Sequence, residues 1–240
     1  MTIPLSYKGK HWSLPEKTPA NAIFVASEFR EAILTQRGIV EPAAQALYLQ
    51  PKLSQLPEPL LLADMEAAVS RLVSAIKQKQ LIAIYGDYDV DGVCSATLLV
   101  DFLRQVQANV CYYIPDRMRE GYGLNAEAVQ TICQTANVLI TTDCGITSHH
   151  EITIAKNLGV DVIVCDHHQV PEKLPPSFAN LNPHRLDCNY PFKDLCATGV
   201  AYVLAIALRR ALRDDHYFHN IRDLCTARAH GGKSFVTRSI

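Results

Sequence analysis

The sequence predicts an α/β fold: a parallel β-sheet with helices on both faces, preceded by a small helical N-terminal extension. Three observations lead there. From residue 81 onward, short apolar runs alternate with segments of helical periodicity. Three of the four runs end on an aspartate that opens a polar loop. Residues 1–60 follow a different pattern, rich in proline and in short helical stretches.

Taken in order, Ser27 is placed to cap a helix running to Gln36, with Gly38 closing it. Pro42 suits the first position of a second short helix that ends at Leu49. Pro51, Pro57 and Pro59 then break the chain. Asp64 is placed to cap the next helix, where Met65, Val69, Leu72, Val73 and Ile76 fall on one face. Strands are expected at 81–86, 108–114, 137–142 and 160–165, and helices at 92–106, 125–135 and 148–158. Strand–helix alternation of this kind specifies a parallel sheet with covering helices. A further helix is expected near 197–212. The domains expected are an extension over 1–60, the α/β domain over 61–212 and a divergent tail over 213–240.

Composition bounds the function. The chain has 240 residues, 48% of them apolar and 20% charged, with a net charge of −1. That balance gives no bulk attraction to nucleic acid, so an anionic substrate needs local cations or metals. The eight cysteines form no C-x-x-C pair, and the first ten residues lack the apolar core of a secretory signal. Reduced thiols in the cytoplasm are expected, without a structural zinc site. No apolar run approaches the roughly 20 residues of a membrane span.

Three aspartates, Asp87, Asp89 and Asp91, stand within five residues, after an apolar run and before Gly92. Like charges this close raise each other's pKa unless something positive neutralises them. Oxygen-rich clusters suit hard divalent cations. A calcium EF-hand fits the first six positions, but its twelfth position requires glutamate and is Leu98. The element before the loop is also a strand. Helix capping without any metal is the bland alternative, but one cap needs only one aspartate.

Two other strand ends match the first. Residues 138–142 lead into Asp143, Cys144 and Gly145, and residues 162–165 lead into Asp166, His167 and His168. Ligands of parallel sheets collect outside the carboxyl ends of the strands, so the three loops share one rim. Of two adjacent imidazoles, one can reach a metal and the other a substrate oxygen, while Asp166 holds a ring nitrogen and fixes its tautomer. Carboxylate and imidazole donors without thiolate favour Mn2+ or Mg2+ over zinc. A bridging carboxylate with separate ligands on each side suits two ions about 3.5–4 Å apart.

The segments Ile84-Tyr85-Gly86-Asp87-Tyr88-Asp89-Val90-Asp91-Gly92, Thr142-Asp143-Cys144-Gly145 and Asp166-His167-His168 resemble the first three motifs of the DHH phosphoesterase superfamily. The likeness is strongest to its RecJ branch of single-strand-specific DNA exonucleases. Pro59 to Ile76, Ile114-Pro115-Asp116-Arg117 with Glu120 to Asn125, and Leu181-Asn182-Pro183-His184 also resemble that branch. The resemblance runs from Trp12 to Leu212, with the motifs in order.

It implies two divalent cations, Mn2+ or Mg2+. Asp89 would ligate one, Asp91 and His167 the other, and Asp143 would bridge them. His168 would contact the scissile phosphate or assist the leaving group, with Asp166 and Asp87 supporting the chemistry. Arg117, Arg119, Tyr122 and Asn182 fall in segments that would meet or frame the nucleic acid. Arginine neutralises phosphate and tyrosine stacks on bases, though a merely solvated loop is an equal reading for Arg119. The implied reaction is 5′-to-3′ hydrolysis of single-stranded DNA in repair and recombination. The implied partners are that DNA, a single-strand-binding protein and a helicase, with no membrane.

Two departures stand out. Tyr85 occupies the place where many DHH proteins carry a histidine, which would leave one metal with fewer protein ligands. The family also continues past the helix near 197–212 to an aspartate that ligates the second metal. Here Asp223-Leu224 begins such a segment, but no Asp or Glu follows Asp223, and the tail turns basic. A truncated or frameshifted tail, with impaired activity, is the expectation. The other readings are a phosphodiesterase of short oligonucleotides or cyclic dinucleotides, a non-catalytic scaffold, and an Asp-x-Asp sugar transferase, which leaves the DHH motif unexplained. A dinucleotide-binding domain would need a G-x-G-x-x-G run that is missing.

Overall fold

In a computed structural model, which describes residues 26–121 and 123–214, the apolar runs form one five-stranded parallel sheet. Its strands are β1 Ile82–Gly86, β2 Val110–Tyr113, β3 Val138–Thr142, β4 Asp161–Cys165 and β5 Ala179–Leu181, in the order β2-β1-β3-β4-β5. Seven α-helices occur among the described residues: α1 Ala26–Gln36, α2 Pro42–Leu49, α3 Met65–Lys77, α4 Val90–Gln105, α5 Ala126–Cys133, α6 His149–Asn157 and α7 Ala197–Asp214. Tyr122 and residues 215–240, with Asp223, lie outside the described residues.

Alternation along the strands sends neighbouring side chains to opposite faces. Ile82, Ile84, Val138, Ile140, Ile163 and Cys165 join one core with α3, α4 and α7. Ala83, Tyr85, Leu139, Val162 and Val164 join a second core with α5 and α6. With both faces covered, β1 and β3 are buried at every position, and this is why they read as unbroken apolar runs. The expected α/β class, with helices on both faces, is the observed one.

The chain divides into two compact units between Leu56 and Pro57. In the first, Gly38 takes φ +73° and ends the turn after α1, where Ile39 N–H returns to the carbonyl of Leu34. α1 already includes Ala26, so Ser27 lies within the helix rather than before it. In the second unit, Asp64 stands before α3 but makes no side-chain cap. Its carboxylate instead accepts from the Asn180 amide at 3.0 Å and from the guanidinium of the buried Arg185 at 2.5 Å. A buried cation demands a partner more strongly than a helix end open to water does. At the opposite end of the sheet, Arg71 of α3 pairs with Asp161 of β4 at 2.6 Å.

Candidate metal centre

The strand register lines up the acidic residues. Gly86 pairs with Thr142, and Thr142 with Cys165. The ladder runs one step further, because Asp87 N–H donates to Thr142, Asp143 N–H to Cys165 and Asp166 N–H to Leu181. Asp87, Asp143 and Asp166 therefore form a row across the carboxyl ends of three strands. From β1 the chain goes to β2 on one side and β3 on the other, which makes the β1–β3 crevice the switch point where parallel sheets bind ligands.

Gly92 lets the first loop fold tightly. A Cβ there would lie 2.6 Å from the Asp87 nitrogen and closer still to its carbonyl oxygen. Asp89 caps α4, its Oδ1 accepting from the amides of Asp91 at 2.9 Å and Gly92 at 3.0 Å. The Gly92 amide is the main reason its carboxyl titrates below the usual range. Capping thus explains one oxygen of one aspartate. Asp91 turns the other way, toward α7. Its Oδ2 accepts from the Ala197 amide at 2.7 Å, and its Oδ1 from the Thr198 amide at 2.8 Å and hydroxyl at 2.5 Å.

Asp87 and Asp143 are the unsatisfied members. Asp87 is 1% exposed, and neither of its oxygens has a hydrogen bond of proper geometry. Burial pushes its carboxyl up, as does the charge of Asp89, against partial relief from nearby backbone amides. Asp143 holds a left-handed backbone, φ 62°, and is 2% exposed. Burial, then the neighbouring Asp89 and Asp91 carboxylates, push its carboxyl up to about 8. His167 Nε2 lies 3.1 Å from its Oδ1, yet that oxygen has no hydrogen bond of proper geometry. The same nitrogen is 3.7 Å from Oδ2 of Asp91.

Asp166 is buried and fully used. Its Oδ2 accepts from the Ile146 amide, and its Oδ1 from the amides of His167 and His168 and from His168 Nδ1 at 2.7 Å. Burial opposes its ionisation, but these donors outweigh burial and hold its carboxyl low. In return the carboxylate raises the His168 imidazole above its ordinary value. Asp166 thus fixes the His168 ring through Nδ1. Asn182, which is fully buried, donates to the His168 carbonyl at 2.9 Å and accepts from the His184 amide. It braces the two-histidine loop from behind.

Other expected site residues lie further out. Arg117 is exposed, its guanidinium 5.2 Å from the Tyr88 ring centre. Arg119 is exposed near Asp116. Gly121 and Gly123 take φ +80° and +86°, in keeping with a turn role. Tyr85 points away from the acidic row into the core beneath α5 and α6. Its hydroxyl donates to the Gly123 carbonyl and accepts the Asn125 amide, fastening the loop that follows Arg117. Sequence reasoning passed over Thr198. Its one signal is that α7 starts without an acidic residue in its first turn.

The donor set fits divalent cations. Two groups have ligand atoms within 4.8 Å of one another, Asp87-Asp89-Asp143 and Asp143-His167-His168, with Asp143 common to both. Buried oxygens without partners and a carboxyl driven up by its neighbours are what a cation would relieve. All donors are oxygen or imidazole nitrogen, which matches Mn2+ or Mg2+.

Fold and site together define an α/β protein with a carboxylate–imidazole cluster, of a composition that suits divalent cations, at the switch point of its sheet. The chain belongs to the DHH family: the model for the DHH family, N-terminal domain, matches residues 81–227. It is 40% identical over 185 residues to the single-stranded-DNA-specific exonuclease RecJ of Bacillus subtilis, covering 77% of this chain and 24% of the relative. It is 41% identical over 159 residues to RecJ of Escherichia coli, covering 65% of this chain and 28% of the relative. The chain thus spans about a quarter of the length of the curated relatives it matches. Among solved structures, RecJ from Thermus thermophilus in complex with Mn2+ superposes with a TM-score of 0.62 at 31% identity, over 77% of this chain and 25% of that one. An exonuclease RecJ bound to manganese superposes at 0.59 and 35% identity, over 67% and 40% of the two chains. No helix among the described residues is long and apolar enough to cross a membrane.

Proposed function

We propose that this chain supplies the cation-binding part of a RecJ-like, metal-dependent 5′-to-3′ exonuclease acting on single-stranded DNA in repair and recombination. The observation that carries the reading is Asp143. It is a buried carboxylate shared by two ligand groups, with an oxygen lacking a hydrogen bond beside His167.

Asp89 and Asp87 would hold one cation and Asp91 and His167 the other, with Asp143 between them. Such ions supply charge neutralisation for a phosphoryl group and an activated water. Asp166 fixes His168 through Nδ1, so that Nε2 is presented to a phosphate oxygen or to the departing oxygen. Arg117 offers charge to the backbone phosphates, and Tyr122, outside the described residues, offers a ring for stacking. Asn182 acts by bracing the His168 backbone.

Residues 224–240 contain no Asp or Glu, so among these 240 residues the ligands are assigned to the three motifs described. On this reading the chain binds Mn2+ weakly and cuts DNA poorly. A cytoplasmic site of action, a single-strand-binding protein and a helicase belong to the same proposal by likeness to RecJ.

Calorimetry with Mn2+ on the wild type and Asp143→Ala, with degradation of 5′- and 3′-labelled single strands, tests it. Mn2+ binding lost in Asp143→Ala, with label released first from the 5′ end, is expected. Preference for a dinucleotide over a 5′-phosphorylated strand would sink the exonuclease reading. Undiminished Mn2+ binding in Asp143→Ala would sink the centre itself.

A further inference from the structure

We infer that Thr198 is a positioning residue of the metal centre: it occupies Oδ1 of Asp91 and leaves Oδ2 as the single oxygen presented to a cation beside His167. The inference rests on the divalent-cation reading above.

A carboxylate oxygen has two lone pairs to offer. Oδ1 of Asp91 receives two donors from one residue, the Thr198 amide at 2.8 Å and hydroxyl at 2.5 Å. Both lone pairs are thereby engaged by the start of α7. Oδ2 receives the Ala197 amide at 2.7 Å, and the Cys196 thiol is a further, weaker donor to the same carboxylate. That same oxygen lies 3.7 Å from His167 Nε2, which is itself 3.1 Å from Asp143 Oδ1. His167 Nε2 therefore stands between the two carboxylates and faces Asp91 on its Oδ2 side, although Asp91 belongs to neither three-residue ligand group. Asp91 is set for one-oxygen coordination.

The hydroxyl has a second acceptor, the Asp91 carbonyl at 3.3 Å, but the carboxylate contact is much shorter. The donors stand at the start of an 18-residue helix whose Val200, Ala201, Val203 and Leu204 are buried in the core. They are carried by rigid structure rather than by a loop. Without the hydroxyl the two backbone amides still hold the carboxylate, but Oδ1 loses its second donor, the one-oxygen presentation is no longer fixed, and metal affinity falls. Outer-shell partners of this kind govern roughly 10–100-fold in metal affinity. A plain helix-cap role for Asp91 would make a different prediction. Losing the hydroxyl would then lower stability and leave cation affinity alone.

The test uses the full chain. Mn2+ affinity is measured by calorimetry and by the electron paramagnetic resonance of free Mn2+ for the wild type, Thr198→Val and Thr198→Ser, with melting in EDTA alongside. Thr198→Val is expected to weaken Mn2+ binding about tenfold or more, and Thr198→Ser to stay within about threefold of wild type. If Thr198→Val does not fold, Thr198→Ala is judged by the same criterion. Wild-type affinity in the hydroxyl-free variant, or a Thr198→Ser variant as weak as it, overturns the inference and leaves the centre standing. A wild type that binds no Mn2+ overturns the centre and the inference together.

Discussion

His167 Nε2 stands 3.1 Å from Oδ1 of Asp143 without making a hydrogen bond to it. Both groups belong to one cluster whose ligand atoms lie within 4.8 Å of one another, close enough to share a cation. Asp143 also carries the most perturbed carboxyl of the acidic row, pushed up to about 8 by burial and by its neighbours.

The first prediction concerns pH. The folded pKa of Asp143 lies above its ordinary unfolded value near 4. Its contribution to stability is therefore fully present below about pH 4 and lost as pH rises toward about 8. In EDTA, wild type should lose melting temperature relative to Asp143→Asn across that window, reaching a deficit of about 5 °C or more at pH 8. Mn2+ should raise the wild-type Tm and leave the variant's nearly unchanged. A gap that stays flat between pH 4 and pH 8 would contradict the assignment.

Asp166 should behave in the opposite sense. Its folded carboxyl is held low, so its contribution is present above the ordinary carboxylate pKa and lost as pH falls through the lower folded value. His168, raised by the same contact, contributes below its ordinary pKa near 6.5 and loses that contribution as pH rises through its folded value. The pair is strongest between these limits, from about pH 4 to 6.5. Asp166→Asn should cost about 2–4 kcal/mol there and return the His168 imidazole toward its ordinary titration. Proton NMR of that imidazole decides the matter, and an unmoved titration would show that Asp166 does not govern it.

Gly92→Ala places a methyl against the backbone of Asp87. A backbone obstacle cannot step aside as a flexible side chain can, so the loop must open. A loss of about 2–4 kcal/mol is expected, with Mn2+ binding weakened as well, since the loop carries Asp89 and Asp91. Urea denaturation measures the first and calorimetry the second. Wild-type values for both would show that the loop is looser than its geometry.

Tyr85→Phe should separate fold from centre. It removes a hydroxyl that joins the Gly123 carbonyl to the Asn125 amide. A loss of about 1–2 kcal/mol is expected, with faster hydrogen exchange at Asn125 and Mn2+ affinity within about twofold of wild type. A large drop in Mn2+ affinity would give Tyr85 a direct part in the centre.

The rim was legible in the sequence because its strands are buried on both faces and read as apolar runs that stop at aspartate. β5 was not, since its three residues, Ala179–Leu181, are too few to show a period. The orientation of Tyr85 was within reach: it alternates with Ile84, so the two face opposite cores. The bonds of Asp64 to Arg185 and of Asp91 to Thr198 cross 121 and 107 residues of chain, and no local pattern encodes such a pairing. In both cases an aspartate placed at a helix start by sequence position turned out to serve a distant partner. Local rules name the residue type that suits a position. Tertiary packing decides which donor reaches it.

The row formed by Asp87, Asp143 and Asp166 crosses three neighbouring strands. It exists only while β1, β3 and β4 keep their alignment, because a slip of one residue would send alternate side chains to the wrong face. A chain that collapsed with correct helices but shifted strands would bury the same residues in number and lose the row. Cation uptake is therefore a gauge of strand alignment, reporting in solution whether three neighbouring strands have met at the right tooth.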